Sequence, residues 1–246
     1  MKLFKIILFI SFLLVPSMAF AWGPLTHLYL GNEILSFEAL IPAGIYAMIK
    51  RYKSDFLYGN IIADIIFGKK LLTHDRNSHN WQVGLGLLDA AKSRQQKAFA
   101  YGYLSHLAAD TVAHSQLIPD LKVGIKNIGH TILEFKADSY IDRKYWMLAV
   151  RFDRMVQRRN DPLLENNLNR ALFSFKTNKR IFKGIVILSG LKQQRMLELI
   201  DRRFPAMFTQ KRIERLHDES IERMIEVLSH GQRAKVMKND PTGPIR

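Results

Sequence analysis

The sequence predicts an all-α protein built as a bundle of several helices. Apolar residues recur at helical spacing along most of the chain, and no segment alternates convincingly between apolar and polar residues as a strand would. A stretch from 98 to 115 surrounds a few polar residues with small apolar ones, the composition of a buried helix. With 246 residues the chain is long enough for one sizeable domain.

The first 21 residues have the pattern of a signal peptide. Two lysines precede a ten-residue apolar run from Ile6 to Val15, which is too short to span a bilayer as a helix. The segment ends in Ala-Phe-Ala, the small-x-small form of a signal peptidase site. We therefore expect cleavage after Ala21, which makes Trp22 the N-terminus of an exported protein, either periplasmic or secreted. An uncleaved membrane anchor is the alternative.

Three polar residues of the 98–115 stretch, His106, Asp110 and His114, follow one another at steps of four. On an α-helix this spacing places them on one stripe. Buried imidazole and carboxylate groups need a charge partner, and a divalent metal ion is the simplest one. This donor set suits zinc. The chain has no cysteine, so a thiolate site is excluded.

Further candidate ligands precede and follow this stripe. Asp64 lies inside an apolar run, where it is either a metal ligand or general base, or a helix cap or ion-pair partner. The polar segment 71–81 offers two histidines, His74 and His79, and one of them is a candidate ligand. The full candidate set is the Trp22 amine, His27, Asp64, His79, His106, Asp110, His114, His130 and Glu134.

This set exceeds what one zinc ion uses, so the sequence predicts two or three ions, with Asp110 as a bridge between metals. Paired metals suit the cleavage of phosphoesters, because together they offset the negative charge that develops. The other two histidines, His217 and His230, lie in a charged region and are expected at the surface.

Positive charge is concentrated in the second half of the chain. The whole sequence carries a formal net charge of +15, of which residues 22–142 contribute +1 and residues 143–246 contribute +12. This charge either attracts a phosphate-bearing substrate or an anionic membrane surface, or belongs to solvated helix faces. We expect helices here, interrupted at Pro162, Gly190 and Pro205, and a disordered tail from Lys238 to Arg246.

The ordered candidates resemble the zinc-dependent phospholipase C family, which shares its fold with the S1/P1 nucleases. The motifs that carry the resemblance are AWGPLTH, GNIIADI, SHNW, HLAADTVAH and HTILEF, and they cover residues 22–138. The resemblance implies a multi-helix phospholipase C/P1 nuclease-like bundle. In it, residues 22–143 form the metal-binding half and residues 144–246 a basic helical half of the same domain.

The resemblance also implies roles for the ligands. Asp64, His79, His106 and Asp110 would hold one zinc; Trp22, His27 and Asp110 a second; His114, His130 and Glu134 a third. A water activated by metal and oriented by Asp64 would attack the phosphorus of a phospholipid or a similar phosphodiester. No obligate protein partner is expected.

Three other functions are compatible with these residues. A P1-like nuclease on the same scaffold needs an aromatic ring near the metals to stack on a base, for which Tyr101, Tyr103 and Trp81 are candidates. A non-catalytic helical protein could bind metal or an anionic membrane. The dipeptide His74-Asp75 weakly suggests a phosphohydrolase of the HD type.

Overall fold

The computed structural model describes residues 22–65, 78–117, 134–168, 174–184, 186–187, 197–198 and 209–243. All regular structure in these ranges is helical, which confirms the all-α prediction. None of the helices described has the length and apolar character that a membrane-spanning segment needs. Residues 1–21 lie outside the described ranges, so the signal peptide stays a prediction.

The helices are α1 Pro24–Glu33, α2 Ala43–Arg51, α3 Lys53–Ile62, α4 Trp81–Ala90, α5 Arg94–Val112, α6 134–139, α7 Arg143–Val150, α8 Arg154–Asn167, α9 175–184 and α10 Gln210–His230. Short 3-10 turns cover Ile34–Ser36, Glu38–Leu40, Ala63–Ile65, Gly231–Arg233 and Lys235–Lys238, and a π-helical turn covers Ala113–Leu117.

Helix α5 lies at the centre of the fold. Its most extensive packing is against α3 and α10, and α4 packs on it as well. Ser93 caps its N-terminus by accepting a hydrogen bond from the Gln96 amide. Every residue from Gly102 to Val112 is buried, as expected for a helix surrounded on all sides. The predicted buried helix is therefore confirmed, and its polar residues face the protein interior.

Two glycines allow α3 and α5 to touch through their backbones. A Cβ atom on Gly59 would lie 2.0 Å from the Phe99 carbonyl oxygen, and one on Gly102 would lie 2.0 Å from the Phe56 carbonyl oxygen. No side chain fits in such a space, so both positions require glycine. This close approach brings the end of α3 and the adjoining 3-10 turn against the polar residues of α5.

The prediction that Pro162 interrupts a helix is wrong, because α8 continues through it from Arg154 to Asn167. A proline inside a helix removes one backbone hydrogen bond, but contacts on both sides hold this helix together. Asn160 donates to Asp55 on α3 at 2.7 Å, and Leu164 is fully buried. Gly190 and Pro205 lie outside the described residues.

The C-terminal segment is ordered further than predicted. Residues up to Gly243 have a defined position, so disorder does not begin at Lys238. The Trp81 indole donates a hydrogen bond of 2.8 Å to the Asn239 carbonyl, and Gly243 packs against the ring of His114. These tertiary contacts, which are invisible in the local sequence, fix the segment. Residues 244–246 lie outside the described ranges.

Candidate metal centre

Five polar side chains from four elements converge beside α5. Helix α1 brings His27, the 3-10 turn after α3 brings Asp64, and the turn before α4 brings His79. Helix α5 itself brings His106 and Asp110. All five residues are at most 2% exposed. Such dense burial of ionisable groups is costly unless an ion or a network of hydrogen bonds compensates it.

The ring nitrogens and carboxylate oxygens of this cluster lie about 3 Å apart. The Nε2 atoms of His79 and His106 are 3.0 Å from each other. His79 Nε2 lies 3.2 Å from Asp64 Oδ1 and 3.0 Å from Asp110 Oδ2, and His106 Nε2 lies 3.3 Å from Asp110 Oδ2. One ligand atom from each of these four residues falls within 4.8 Å of all the others.

Neighbouring groups determine which nitrogen of each ring carries the hydrogen. His106 Nδ1 lies 2.9 Å from the Asn60 carbonyl oxygen, which can only accept, so Nδ1 is the protonated nitrogen. The Ser78 hydroxyl donates to the Ala63 carbonyl at 3.0 Å, so it can only accept from His79 Nδ1, 3.3 Å away. When each ring is neutral, the lone pair of its Nε2 atom therefore points into the cluster.

Among the described residues, the atoms that face the centre of the cluster are then all electron-pair donors. Two Nε2 lone pairs face each other, and the nearest other atoms are carboxylate oxygens. A shared proton could serve two of these atoms, whereas one metal ion meets all four. Ligands of a tetrahedral zinc at about 2.0–2.1 Å are about 3.3 Å apart, close to the spacings observed. The donor set and its geometry therefore fit zinc.

The two oxygens of Asp110 face in different directions. Oδ2 faces His79 and His106, whereas Oδ1 lies 3.1 Å from His27 Nε2. The His27 ring stacks on the His106 ring with centroids 3.8 Å apart. The other nitrogen of His27, Nδ1, is buried and has no hydrogen-bond partner among the described residues. Asp110 therefore has the position that a bridging carboxylate requires.

The pKa directions agree with a centre that favours positive charge. Burial alone would raise the pKa of Asp110, but the nearby rings of His106 and His27 outweigh it and hold the pKa well below its usual value. Burial likewise opposes the charged form of His106, yet Asp110 and Asp64 raise the pKa of that ring. Burial and the charge of His106 lower the pKa of His27.

The other predicted ligands have different positions. Trp22 is fully buried, and its indole N–H lies 3.1 Å from both the Ala109 carbonyl and the Ser220 hydroxyl. Glu134 is buried at the first described residue of α6. His130 lies outside the described residues, and so does His74, the alternative to His79.

His114 lies just beyond the α-helix that carries His106 and Asp110. It belongs to the π-helical turn that follows α5, in which the chain winds more widely than in an α-helix. It is buried and packs against Gly243. A spacing of four residues predicts a common face only while the helix stays α-helical.

The prediction that His217 is a surface residue is wrong. Its ring is 5% exposed and packs against Trp22 and Tyr29, with centroids 5.1 and 5.4 Å away. Burial lowers the pKa of His217 to about 4. The local sequence is charged, but His217 lies on the apolar face of α10. His230 is exposed, as predicted.

The rings proposed for base stacking are not equally available. Tyr103 is fully buried, and its hydroxyl donates to the Ser78 carbonyl. Trp81 is only 8% exposed, whereas Tyr101 is partly buried. Tyr103, Ser78 and Asn60 instead support the histidines from behind. No sequence pattern predicted this role, although Ser78 adjoins His79 and Asn60 precedes Asp64 by four residues.

Comparison with known proteins gives one match. A family model described as zinc dependent phospholipase C matches residues 26–180. The matched range contains every predicted ligand except Trp22, which precedes it. No curated protein and no solved structure matches the chain.

Proposed function

The chain belongs to the zinc-dependent phospholipase C family, a family of phosphodiester hydrolases, and on this premise we propose that it cleaves a phospholipid after export. The observation that carries the proposal is the buried cluster of Asp64, His79, His106 and Asp110. Its inward-facing atoms are all electron-pair donors. Such a centre binds a divalent cation, and the family indicates that the cation is zinc.

We assign the ligands to up to three ions. The first would be held by the four residues of the cluster, whose atoms already have the required spacing. The second would be held by His27, Asp110 and the amine of Trp22 once the preceding segment is removed. The third would be held by His114, His130 and Glu134, and rests on the family resemblance alone.

When bound, zinc supplies a Lewis acid that polarises the phosphoryl group and makes water nucleophilic at neutral pH. The chain's own residues orient and deprotonate that water. Asp64 is suited to this task because its carboxylate borders the centre, with Oδ1 toward His79 and Oδ2 3.9 Å from His27 Nε2. Asp64 would accept the proton from that water. Asp110, which faces both His79 and His27, would hold the ligands of the first and second ions at a fixed distance from each other.

The basic half is proposed to bring the enzyme to its substrate. Several exposed cations lie on α8 and α9 and at their ends: Arg151, Arg154, Arg158, Lys176, Arg180 and Lys183. Phosphate groups of an anionic membrane surface would be attracted to such a face. Attraction of this kind raises the rate of encounter without selecting a head group.

The test uses the exported protein, with its N-terminus read by mass spectrometry. We expect at least two zinc ions per chain and hydrolysis of phosphatidylcholine that stops with a chelator and resumes with zinc. Asp110→Asn should lose metal and at least about 100-fold in activity, because it removes a ligand. Asp89→Asn, an exposed carboxylate on α4, is the matched control and should change neither.

Other outcomes would contradict the proposal in different ways. Fewer than two zinc ions would refute the multi-metal centre. Cleavage of single-stranded DNA without cleavage of lipid would assign a nuclease instead. Full metal content without turnover of either substrate would indicate a non-catalytic protein.

One extra residue before Trp22 should lower the zinc content per chain, since an amide nitrogen cannot replace a free amine. Unchanged zinc content would remove Trp22 from the ligands.

A further inference from the structure

We propose that Asp138 is a positioning residue that holds the segment from Trp22 to His27 against the bridging carboxylate of Asp110. The inference rests on the proposed function, in which this segment provides ligands for the second zinc. Asp138 itself is not one of the predicted ligands. Its carboxylate meets the start of α1 from α6, more than 110 positions along the chain.

The start of α1 has no local group to cap it. Gly23 occupies the N-cap position and has no side chain, and Pro24 follows it as the first helical residue. The first free amides of the helix therefore belong to Leu25 and Thr26. Most helices satisfy such amides with a Ser, Thr, Asp or Asn at the N-cap itself. Here the oxygens must come from elsewhere in the fold.

Asp138 supplies the acceptor oxygens for both amides. Its Oδ1 accepts hydrogen bonds of 2.8 Å from the amide and from the hydroxyl of Thr26. Its Oδ2 accepts one of 3.2 Å from the amide of Leu25. Both oxygens are thus committed to α1, which distinguishes Asp138 from a metal ligand. The positive end of the helix dipole favours the carboxylate at this position.

The carboxylate also lies directly against the backbone between the two predicted ligands. A Cβ atom on Gly23 would come within 2.4 Å of the Asp138 carboxyl group. Only glycine permits this contact. Asp138 consequently fixes the backbone at Gly23, one residue after Trp22, and at Thr26, one residue before His27.

The side chains on either side of this clamp both reach the same turn of α5. The Trp22 indole binds the Ala109 carbonyl, and His27 Nε2 faces Oδ1 of the next residue, Asp110. The Trp22 ring is held from the other side by Ser220 and His217 of α10. With the side chain fixed by α5 and α10, Asp138 determines where the backbone of this segment lies.

The experiment measures zinc binding site by site in the exported protein. Zinc per chain and the affinity of each site are determined by chelator competition for wild type, Asp138→Ala and Asp138→Asn. We expect Asp138→Ala to weaken the second zinc at least about tenfold, as loss of a supporting group typically does. The first zinc should stay within about twofold. Asp138→Asn keeps an oxygen that can accept from Thr26, so the zinc affinity of its second site should lie between those of the wild type and Asp138→Ala.

Asp142 provides a matched control. It also caps a helix, by accepting a hydrogen bond of 2.8 Å from Lys144 at the start of α7. Asp142→Ala should lower Tm, as the loss of a helix cap does, while leaving both zinc ions in place. Because ordinary loss of a cap would not select one metal site, this comparison separates positioning from general stability.

A second variant reaches the same contact from the other side. Gly23→Ala pushes the Asp138 carboxylate away and should reproduce the selective loss of the second zinc, even if Asp138→Ala does not fold. Wild-type affinity at the second site in Asp138→Ala or in Gly23→Ala would overturn the inference. A wild-type protein with fewer than two zinc ions would instead refute the proposed function.

Discussion

At the scale of single residues, hydrogen bonds behind the rings orient two histidines so that both could bind a metal ion. His106 is oriented by the Asn60 carbonyl, and His79 by a serine whose own hydrogen is already committed to Ala63. Without these partners each ring could place a hydrogen on Nε2 and close the centre to metal. The supporting groups therefore matter nearly as much as the ligands.

Ser78→Ala tests this dependence. Loss of the hydroxyl frees His79 to adopt the other tautomer, so we expect zinc affinity at the first site to fall about tenfold with little change in fold. Chelator competition measures the affinity. Ser229→Ala removes a hydroxyl that bonds the Leu40 carbonyl far from the centre and serves as the control. Equal affinity of the two variants would show that Ser78 does not orient His79.

His217 predicts a second residue-scale effect, on stability at acid pH. The folded state resists protonation of this ring until about pH 4, whereas the unfolded state binds the proton below about pH 6.5. Stability should therefore fall as the pH drops through this window, by about 2 kcal/mol between pH 7 and pH 5.

Denaturant unfolding at both pH values, compared with His217→Phe, measures this contribution. Phenylalanine keeps a ring against Trp22 and Tyr29 but cannot titrate, so its loss of stability should be smaller by that amount. The same pH dependence in both proteins would assign the acid sensitivity to other groups.

At the scale of elements, the contact between α3 and α5 positions the centre. Asn60 and Asp64 reach His106 and its neighbours only because Gly59 and Gly102 let the two backbones meet. Any side chain at either position would separate the helices and draw Asp64 away from α5.

Gly102→Ala should accordingly destabilise the protein by at least about 3 kcal/mol, because the new methyl group meets backbone that cannot move aside. Zinc affinity should fall with it. Gly44→Ala is the matched control: nothing lies within 4 Å of its Cβ, so better helix propensity should raise stability by about 0.5–1 kcal/mol. Thermal unfolding of both variants measures these changes in stability. A small loss of stability in Gly102→Ala would contradict the close packing of α3 against α5.

The elements also differ in how far the local sequence predicts them. The periodicity and the small apolar residues of α5 predicted a buried helix with His106 and Asp110 inward, because such features are local. The π-helical turn at His114, the burial of His217 and the cap from Asp138 were not predictable, since each depends on a partner far along the chain. The continuation of α8 through Pro162 likewise reflects tertiary contacts that outweigh a local preference.

At the scale of the whole molecule, the excess of positive charge and the candidate metal ligands lie in different halves of the sequence. The candidate metal ligands all precede residue 135, in a region whose net charge is close to zero, whereas the exposed cations of α8 and α9 follow it. Under the proposed function, this separation would let the basic surface attract a substrate without adding positive charge beside the candidate zinc ligands.

A salt series tests that division. Activity on vesicles that contain anionic lipid should fall about tenfold between 50 and 500 mM salt, because screening shortens the reach of surface charge. Activity on a soluble short-chain phosphatidylcholine should change less than about twofold over the same range, since it needs no surface attraction. Equal salt dependence for both substrates would remove the basic half from substrate encounter.

Anomalous diffraction at the zinc absorption edge would show whether the four-residue cluster binds zinc. We expect a strong peak between the Nε2 atoms of His79 and His106, in contact with Asp64 and Asp110, that disappears after chelation. Zinc-supplemented crystals with no peak there, although the two Nε2 atoms still lie 3.0 Å apart, would contradict it.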